Sequence, residues 1–234
     1  MLNERLERIT SKIDKYFLEE HKLYSNLEVS NYVLDIEVSP VSENEVLTYS
    51  VALMCVDDDN DICYKYKTVE ECLKQLFSLK SGLVNIYVHN LYYDFKPFLI
   101  EYVNKWNATQ NLPEIYTKSV FNPITKNKEE IKFIKQNGLN GLKEKNTYDI
   151  IFKNGQLYKA SFFGDKRQMG KIEVSQELRF RDTLKIFPYS LKKASKEFID
   201  LELSKEGLDY EKKRTLNDIL TLEEKKYIYE DVFA

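Results

Sequence analysis

The chain has 234 residues with 43% hydrophobic and 13% aromatic content, 7 Gly, 5 Pro and a formal net charge of −3. That length can bury a proper core in one large domain or a domain with an appendage, and the composition excludes extended disorder for most of the chain. The slight acidity excludes a protein that grips nucleic acid by a broad basic surface, so any nucleic-acid contact must be local.

No run approaches the roughly 20 apolar residues of a bilayer-spanning helix. The charged start, Met1-Leu2-Asn3-Glu4-Arg5, has no apolar signal segment behind it. The expectation is a cytoplasmic protein with no membrane partner. Cys55, Cys63 and Cys72 are odd in number and lack a C-x-x-C spacing. They fit neither a disulfide framework nor a zinc site, and reduced buried thiols are expected.

Leu2, Leu6, Ile9, Ile13, Phe17 and Leu18 recur at helical spacing among charges and predict an amphipathic helix to about residue 24. This makes 1–30 a helical appendage to a domain over 31–234. Strands follow over 32–37 and 48–56, and Asp57-Asp58-Asp59-Asn60-Asp61 forms a hairpin turn into a strand over 62–66. The acid run lacks the spacing and closing Glu of a calcium loop and is a solvated turn. A helix over 68–79 starts at a Thr68 N-cap and carries Val69, Cys72, Leu73, Leu76 and Phe77 on one face. A buried strand over 83–89 leads to a helix over 94–106 with Phe98, Leu99, Tyr102 and Val103 as its apolar stripe. Residues 107–136, rich in Lys, Asn and Glu and interrupted by Pro113 and Pro123, form an insertion to which the pattern assigns no element.

Apolar runs over 148–152 and 157–163 flank Lys153-Asn154-Gly155-Gln156, a strong hairpin signal. A strand over 178–187 turns at Pro188 into a helix over 190–199, with Leu191, Ala194, Ser195 and Phe198 facing inward. The last helix opens with the capping-box pattern Thr221-Leu222-Glu223-Glu224. Strands first, then mixed strands and helices, predict an α/β sandwich around a mixed sheet.

Three constellations carry chemistry. Asp35-Ile36-Glu37 ends the apolar run Tyr32-Val33-Leu34, and alternation puts both carboxylates on one strand face with Leu34 and Ile36 on the other. Two neighbouring anions need a cation or strong donors, which points to magnesium or manganese, although a solvated strand edge can carry the same pair. Tyr87-Val88-His89-Asn90-Leu91-Tyr92-Tyr93-Asp94 falls where a strand ends and a helix starts, the usual ligand edge of an α/β sheet. Taken singly, Asp94 is also a helix N-terminal charge, Asn90 a turn residue, His89 a backbone-satisfied histidine, and Tyr92 is assigned to the core. Finally, Tyr227 and Asp231, four apart, present a phenol and a carboxylate on one helical face.

Together, and in this order, the three resemble the motifs of the 3′-5′ exonuclease domain of protein-primed family B DNA polymerases from small phages and linear plasmids. Asp35 and Glu37 resemble the first motif, His89, Asn90, Leu91, Tyr93 and Asp94 the second, Tyr227 and Asp231 the third. Asp182-Thr183-Leu184 with the helix after it resembles the family's Asp-Ser-Leu segment, and Lys205 with Tyr210 its Lys-x-x-x-x-Tyr element. The resemblance covers about 31–234 without the insertion. Two positions depart from the pattern: Val38 stands where the family commonly has Thr, and Thr183 where it has Ser.

The resemblance implies a ribonuclease H-like three-layer fold and hydrolysis of the 3′-terminal phosphodiester of single-stranded DNA. It implies two Mg2+ or Mn2+ ions, one on Asp35, Glu37 and Asp231, the second on Asp35 and Asp94. Tyr227 and Lys205 would assist catalysis, and Tyr87, His89, Asn90, Tyr93, Thr183, Leu184 and Tyr210 would contact DNA. Partners would be a DNA 3′ end, a polymerase domain in cis or in trans, and a terminal priming protein. Two other readings stay open: a module that binds single-stranded DNA or the priming protein without hydrolysis, and a free-standing ribonuclease of the same fold.

Overall fold

A computed structural model describes residues 17–19, 28–42, 45–58, 62–111, 114–122, 127–135, 142–153, 156–185, 188–199, 208–209 and 212–233. Its strands are β1 (Phe17–Glu19), β2 (Val29–Ser42), β3 (Glu45–Cys55), β4 (Cys63–Tyr66), β5 (Leu83–Val88), β6 (Thr109–Gln110), β7 (Glu114–Asn122), β8 (Asn127–Lys135), β9 (Thr147–Lys153), β10 (Gln156–Met169) and β11 (Ile172–Asp182). The helices are α1 (Val69–Ser78), α2 (Leu91–Trp106), α3 (Leu191–Ile199) and α4 (Leu222–Phe233), with a 3-10 turn at Thr183–Lys185.

Nine of these strands form one mixed sheet in the order β1-β4-β3-β2-β5-β11-β10-β9-β6. β2 pairs parallel to β5 and β5 parallel to β11, while β2-β3-β4 and β9-β10-β11 are antiparallel meanders on either side. The parallel centre brings the carboxyl ends of β2, β5 and β11 to one edge, where a crossover fold collects its ligand-facing residues.

Two hydrophobic clusters sandwich the sheet. On one face α1 contributes Val69, Cys72, Leu73 and Leu76, and α2 contributes Leu91, Phe95, Phe98 and Tyr102, against Leu34, Ile36, Val84, Ile86, Val88, Phe162, Leu178 and Phe180. Aromatic contacts tighten this layer, with Tyr102 stacked 4.3 Å from Phe162 and Phe95 edge-on 5.1 Å from Phe180 between centroids. Each such side chain withdrawn from water contributes roughly 1.5–3 kcal/mol. The Tyr102 hydroxyl donates to the Phe163 carbonyl at 2.7 Å, so its buried polar end is satisfied. On the opposite face α4 lays Ile228, Tyr229 and Val232 on Tyr49, Ala52, Met54 and Cys63. The outcome is a central mixed sheet flanked by helices on both faces, the ribonuclease H-like class.

Two of the helices that pin the layers, α1 and α4, are capped as expected. Thr68 Oγ1 accepts from the Glu71 N–H at 3.2 Å while Glu71 accepts from the Thr68 N–H at 3.2 Å. Thr221 and Glu224 repeat the box on α4, at 3.2 and 2.8 Å. Cys63 and Cys72 are buried and Cys55 half-buried, all three free, and burial raises each thiol above its ordinary value.

Four expectations need correction. Phe17–Glu19 form a strand parallel to β4 instead of part of a helix, and the remainder of 1–27 lies outside the described residues. The insertion holds β6 and a hairpin, β7 paired antiparallel with β8. The strand expected to run to 187 ends at Asp182 and tightens into the 3-10 turn. α2 starts at Leu91 rather than Asp94, because Asn90 takes the left-handed conformation (φ 71°, ψ 57°) that Asn tolerates and turns the chain directly into the helix. That early start faces Leu91 and Phe95 into the core and leaves Tyr92 67% exposed, so Tyr92 is not a core residue.

Candidate metal centre at the strand edge

Alternation along β2 sends Tyr32, Leu34 and Ile36 to the α1–α2 layer and Val33, Asp35 and Glu37 to the α4 layer. A register shift between Glu37 and Val38 in the β2–β3 ladder ends the acid pair with a bulge, a device that re-aims side chains beside sites. α4 crosses above β2 and β3 and presents Asp231 to the pair. Carboxylate oxygens of Asp35, Glu37 and Asp231 lie within 4.8 Å of one another.

Burial first, then Glu37, Asp231 and Asp94, raises the Asp35 carboxyl well above the ordinary range. Glu37, 6% exposed, is pushed up to about 8 by burial and by Asp231 and Asp94, with Arg214 pulling the other way. Asp231 rises to about 6 through burial, opposed by a hydrogen bond from the Tyr227 hydroxyl. The phenol and carboxylate four apart on α4 therefore do meet. Asp94, in the first turn of α2, is raised to about 7 by burial and by Asp182. Its field reaches both Asp35 and Glu37, so all four predicted acids share one neighbourhood.

Such mutual repulsion is unfavourable unless a cation offsets it. Asp35 Oδ2 is buried without a hydrogen-bond partner, the kind of orphaned atom that a bound ion satisfies. Hard oxygen donors without any His or Cys fit Mg2+ or Mn2+ rather than a softer ion. Asp35, Glu37 and Asp231 could hold one such ion, with Asp94 facing the group from α2.

Around the acids, the ends of β5 and β11 are tied together. Asp182 Oδ1 accepts from the Asn90 and Leu184 N–H groups at 3.3 and 3.0 Å. Thr183 Oγ1 donates to the Val88 carbonyl at 3.3 Å and lies 3.1 Å from His89 Nδ1. Burial holds His89 below its ordinary value, against the field of Asp182 and a hydrogen bond to the Tyr189 backbone, so the ring is neutral at pH 7. His89 is thus a satisfied strand-end histidine. Asn90 caps α2 by backbone conformation and makes no side-chain cap bond, and it is exposed with Tyr93, which is 70% exposed. Tyr87 is half-buried on the Asp35 side of the sheet, and Leu184 is half-buried in the 3-10 turn. Lys205 and Tyr210 lie outside the described residues.

Sequence reasoning passed over two residues, Arg214 and Tyr189. Arg214, its side chain 1% exposed, pairs through Nη2 with Glu224, stacks 4.8 Å over the Tyr49 ring and donates its backbone N–H to Ser39 Oγ at 2.9 Å. It thereby ties the segment before α4 to the end of β2, joining the elements that deliver Glu37 and Asp231. Burial works to raise Glu224, yet its bonds to Arg214 and the Thr221 backbone hold it below the ordinary value. In Lys212-Lys213-Arg214 nothing distinguishes this residue from its solvated neighbours, and the spacing to the Thr221 capping box was the one available signal. Tyr189 follows Pro188 beside His89, with the Lys193 ammonium 4.4 Å from its ring centroid. Asp182 is singled out through the Asp182-Thr183-Leu184 resemblance, but its role in fastening two strand ends needs the parallel pairing of β5 with β11.

No protein-family model and no curated protein matches the sequence. Solved structures do match in fold. Three structures of phi29 DNA polymerase, one in an orthorhombic crystal form, one complexed with primer-template DNA and one with single-stranded DNA, align over 87% of this chain at 20% identity, with TM-scores of 0.62, 0.61 and 0.58. The chain spans 29% of the length of that polymerase, and its fold is the one seen in the matching region.

Proposed function

We propose that this protein is a metal-dependent 3′-5′ exonuclease domain that proofreads for a DNA polymerase, hydrolysing the 3′-terminal phosphodiester of single-stranded DNA to release nucleoside monophosphates. The observation that carries this reading is the convergence of Asp35, Glu37 and Asp231 within 4.8 Å, with Asp94 beside them. The fold shared with a region of phi29 DNA polymerase, solved with single-stranded DNA, supports the substrate class. The polymerase part, in cis or in trans, and a priming protein are the partners this reading carries.

Asp35, Glu37 and Asp231 would hold one Mg2+ or Mn2+, and Asp35 with Asp94 a second. Ions held there supply Lewis-acid stabilisation at a phosphodiester and make water a competent nucleophile at neutral pH. The chain's own groups do the rest. Tyr227 stays protonated, since a phenol is a poor base at neutral pH, and its hydrogen bond fixes the Asp231 carboxylate. Neutral His89, held by Thr183 and Tyr189, and the turn at Asn90 position the terminal nucleotide. Tyr87 and Tyr93 offer faces on which any base can stack, Leu184 is a further contact, and Tyr210 is a DNA contact that rests on the family resemblance alone. For Lys205 the family resemblance alone implies a role in assisting the hydrolysis.

A 5′-labelled single strand incubated with Mg2+ is expected to shorten stepwise from its 3′ end with release of mononucleotides. Retention of the strand in Ca2+ with no product in Mg2+ would instead make the domain a binding module. Preferential loss of a competing RNA strand would make it a ribonuclease.

A further inference from the structure

We propose that Arg181 is a phosphate clamp for the single strand beyond the terminal nucleotide, a contact that deepens the exonuclease reading and rests on it. With a net charge of −3, the chain cannot hold a polyanion by bulk attraction, so particular cations near the site must do so. Arg181 stands on β11 directly across from Tyr87 on β5, and Tyr87 stands across from Val33 on β2. All three side chains belong to the face that carries Asp35 and Glu37, and two strand spacings put Arg181 about 10 Å across the sheet from β2.

Its orientation is prearranged by a polar ladder. The Asp57 carboxylate accepts from the Asn31 backbone N–H at 2.7 Å and from its Nδ2 at 3.0 Å. Asn31 Oδ1 accepts from Asn85 Nδ2 at 3.0 Å, and Asn85 Oδ1 accepts from Arg181 Nε at 3.0 Å. Asn85 is 7% exposed and bonded at both atoms of its amide, whereas Arg181 itself is exposed. A guanidinium anchored through Nε keeps its Nη groups for an outside acceptor, and their planar fork fits a phosphate. Two residues back on the same face, Arg179 is different: Glu177 takes its Nε and Nη2 at 3.0 and 2.7 Å, so its charge is spent within the protein. The carboxamide that Arg181 meets leaves its charge intact.

The test is fluorescence anisotropy of a labelled oligo(dT) in Ca2+, on the full chain, across a salt series. Arg181→Gln should bind roughly tenfold more weakly, with the slope of log K against log salt reduced by about 0.7. Arg181→Lys should keep the slope and lose part of the affinity, because it keeps the charge without the fork. In Mg2+ the Arg181→Gln protein should show raised KM with kcat little changed. An unchanged salt slope in Arg181→Gln overturns the proposal, including the case where its melting temperature falls and affinity with it, since that is a structural role. Failure of the unmutated protein to bind the oligonucleotide would overturn both this and the exonuclease reading, whereas binding without a slope change removes the clamp alone.

Discussion

The two faces of the central sheet are made from the same strands and behave oppositely. Toward α1 and α2, β2 sends Leu34 and Ile36 into a layer of aliphatic and aromatic side chains. Toward α4, the same strand sends Asp35 and Glu37 into a crowd of like charges, with a buried Arg214–Glu224 pair and a smaller apolar cluster beside them. One face supplies the stability that the other expends. A site of repelling acids persists because the opposite layer over-determines the position of β2.

Exchanging the acids for amides should break this contrast most sharply. Asp35→Asn combined with Glu37→Gln should lower nuclease activity by on the order of 10³-fold or more, since ion-mediated charge stabilisation contributes several kcal/mol. The same protein should melt at a higher temperature than the unmutated one in chelator, because the repulsion is gone. Mononucleotide release and thermal denaturation, run side by side, check both halves.

A change on the other face should do the reverse. Phe162→Ala, in the stacked layer, should cost about 3–5 kcal/mol in denaturant unfolding. Mn2+ affinity of the protein that remains folded at low temperature should be unaltered.

Acidity separates the faces without any mutation. Asp231, Asp94 and Glu37 titrate in the folded chain at about 6, 7 and 8, above their ordinary values of 3.8, 3.8 and 4.5, and Asp35 is raised as well. A carboxyl raised on folding contributes stability below its unfolded value and loses it as pH climbs through the folded one. The metal-free melting temperature should therefore fall as pH rises from about 5 to about 8, and added Mg2+ should restore it at the upper end. A flat profile in chelator would show that neither burial nor mutual repulsion raises these acids.

The smallest effect compares the matched helix caps. Thr68→Ala and Thr221→Ala should each cost about 1 kcal/mol. Only Thr221→Ala should also weaken Mn2+ binding, because α4 carries Asp231 and α1 carries no ligand.

What could be read from residues alone follows the same division. Period-two alternation in β2 and the i, i+4 pair on α4 are local rules, so Asp35, Glu37, Tyr227 and Asp231 and the elements bearing them emerge without coordinates. Partners defined by strand register do not. The Asp182 bridge, the Arg181–Asn85–Asn31 ladder and the Arg214 tie join residues distant in sequence, so no local pattern pairs them. Short or polar strands were missed for a related reason: β1 spans three residues, too few to show a period, and the Lys- and Glu-rich β7–β8 hairpin is defined by pairing. Tyr92 was misassigned because an aromatic beside an apolar strand suggests the core, whereas the helical period that buries Leu91, Phe95, Phe98 and Tyr102 turns position 92 outward.

The central claim is that acids from β2 and α4 jointly cage divalent ions. Mn2+ titration followed by electron paramagnetic resonance, on the unmutated protein and on Asp35→Asn with Asp231→Asn, tests it most directly. Saturable binding in the first and its loss in the second is the predicted result. Equal Mn2+ uptake by both proteins would contradict the account.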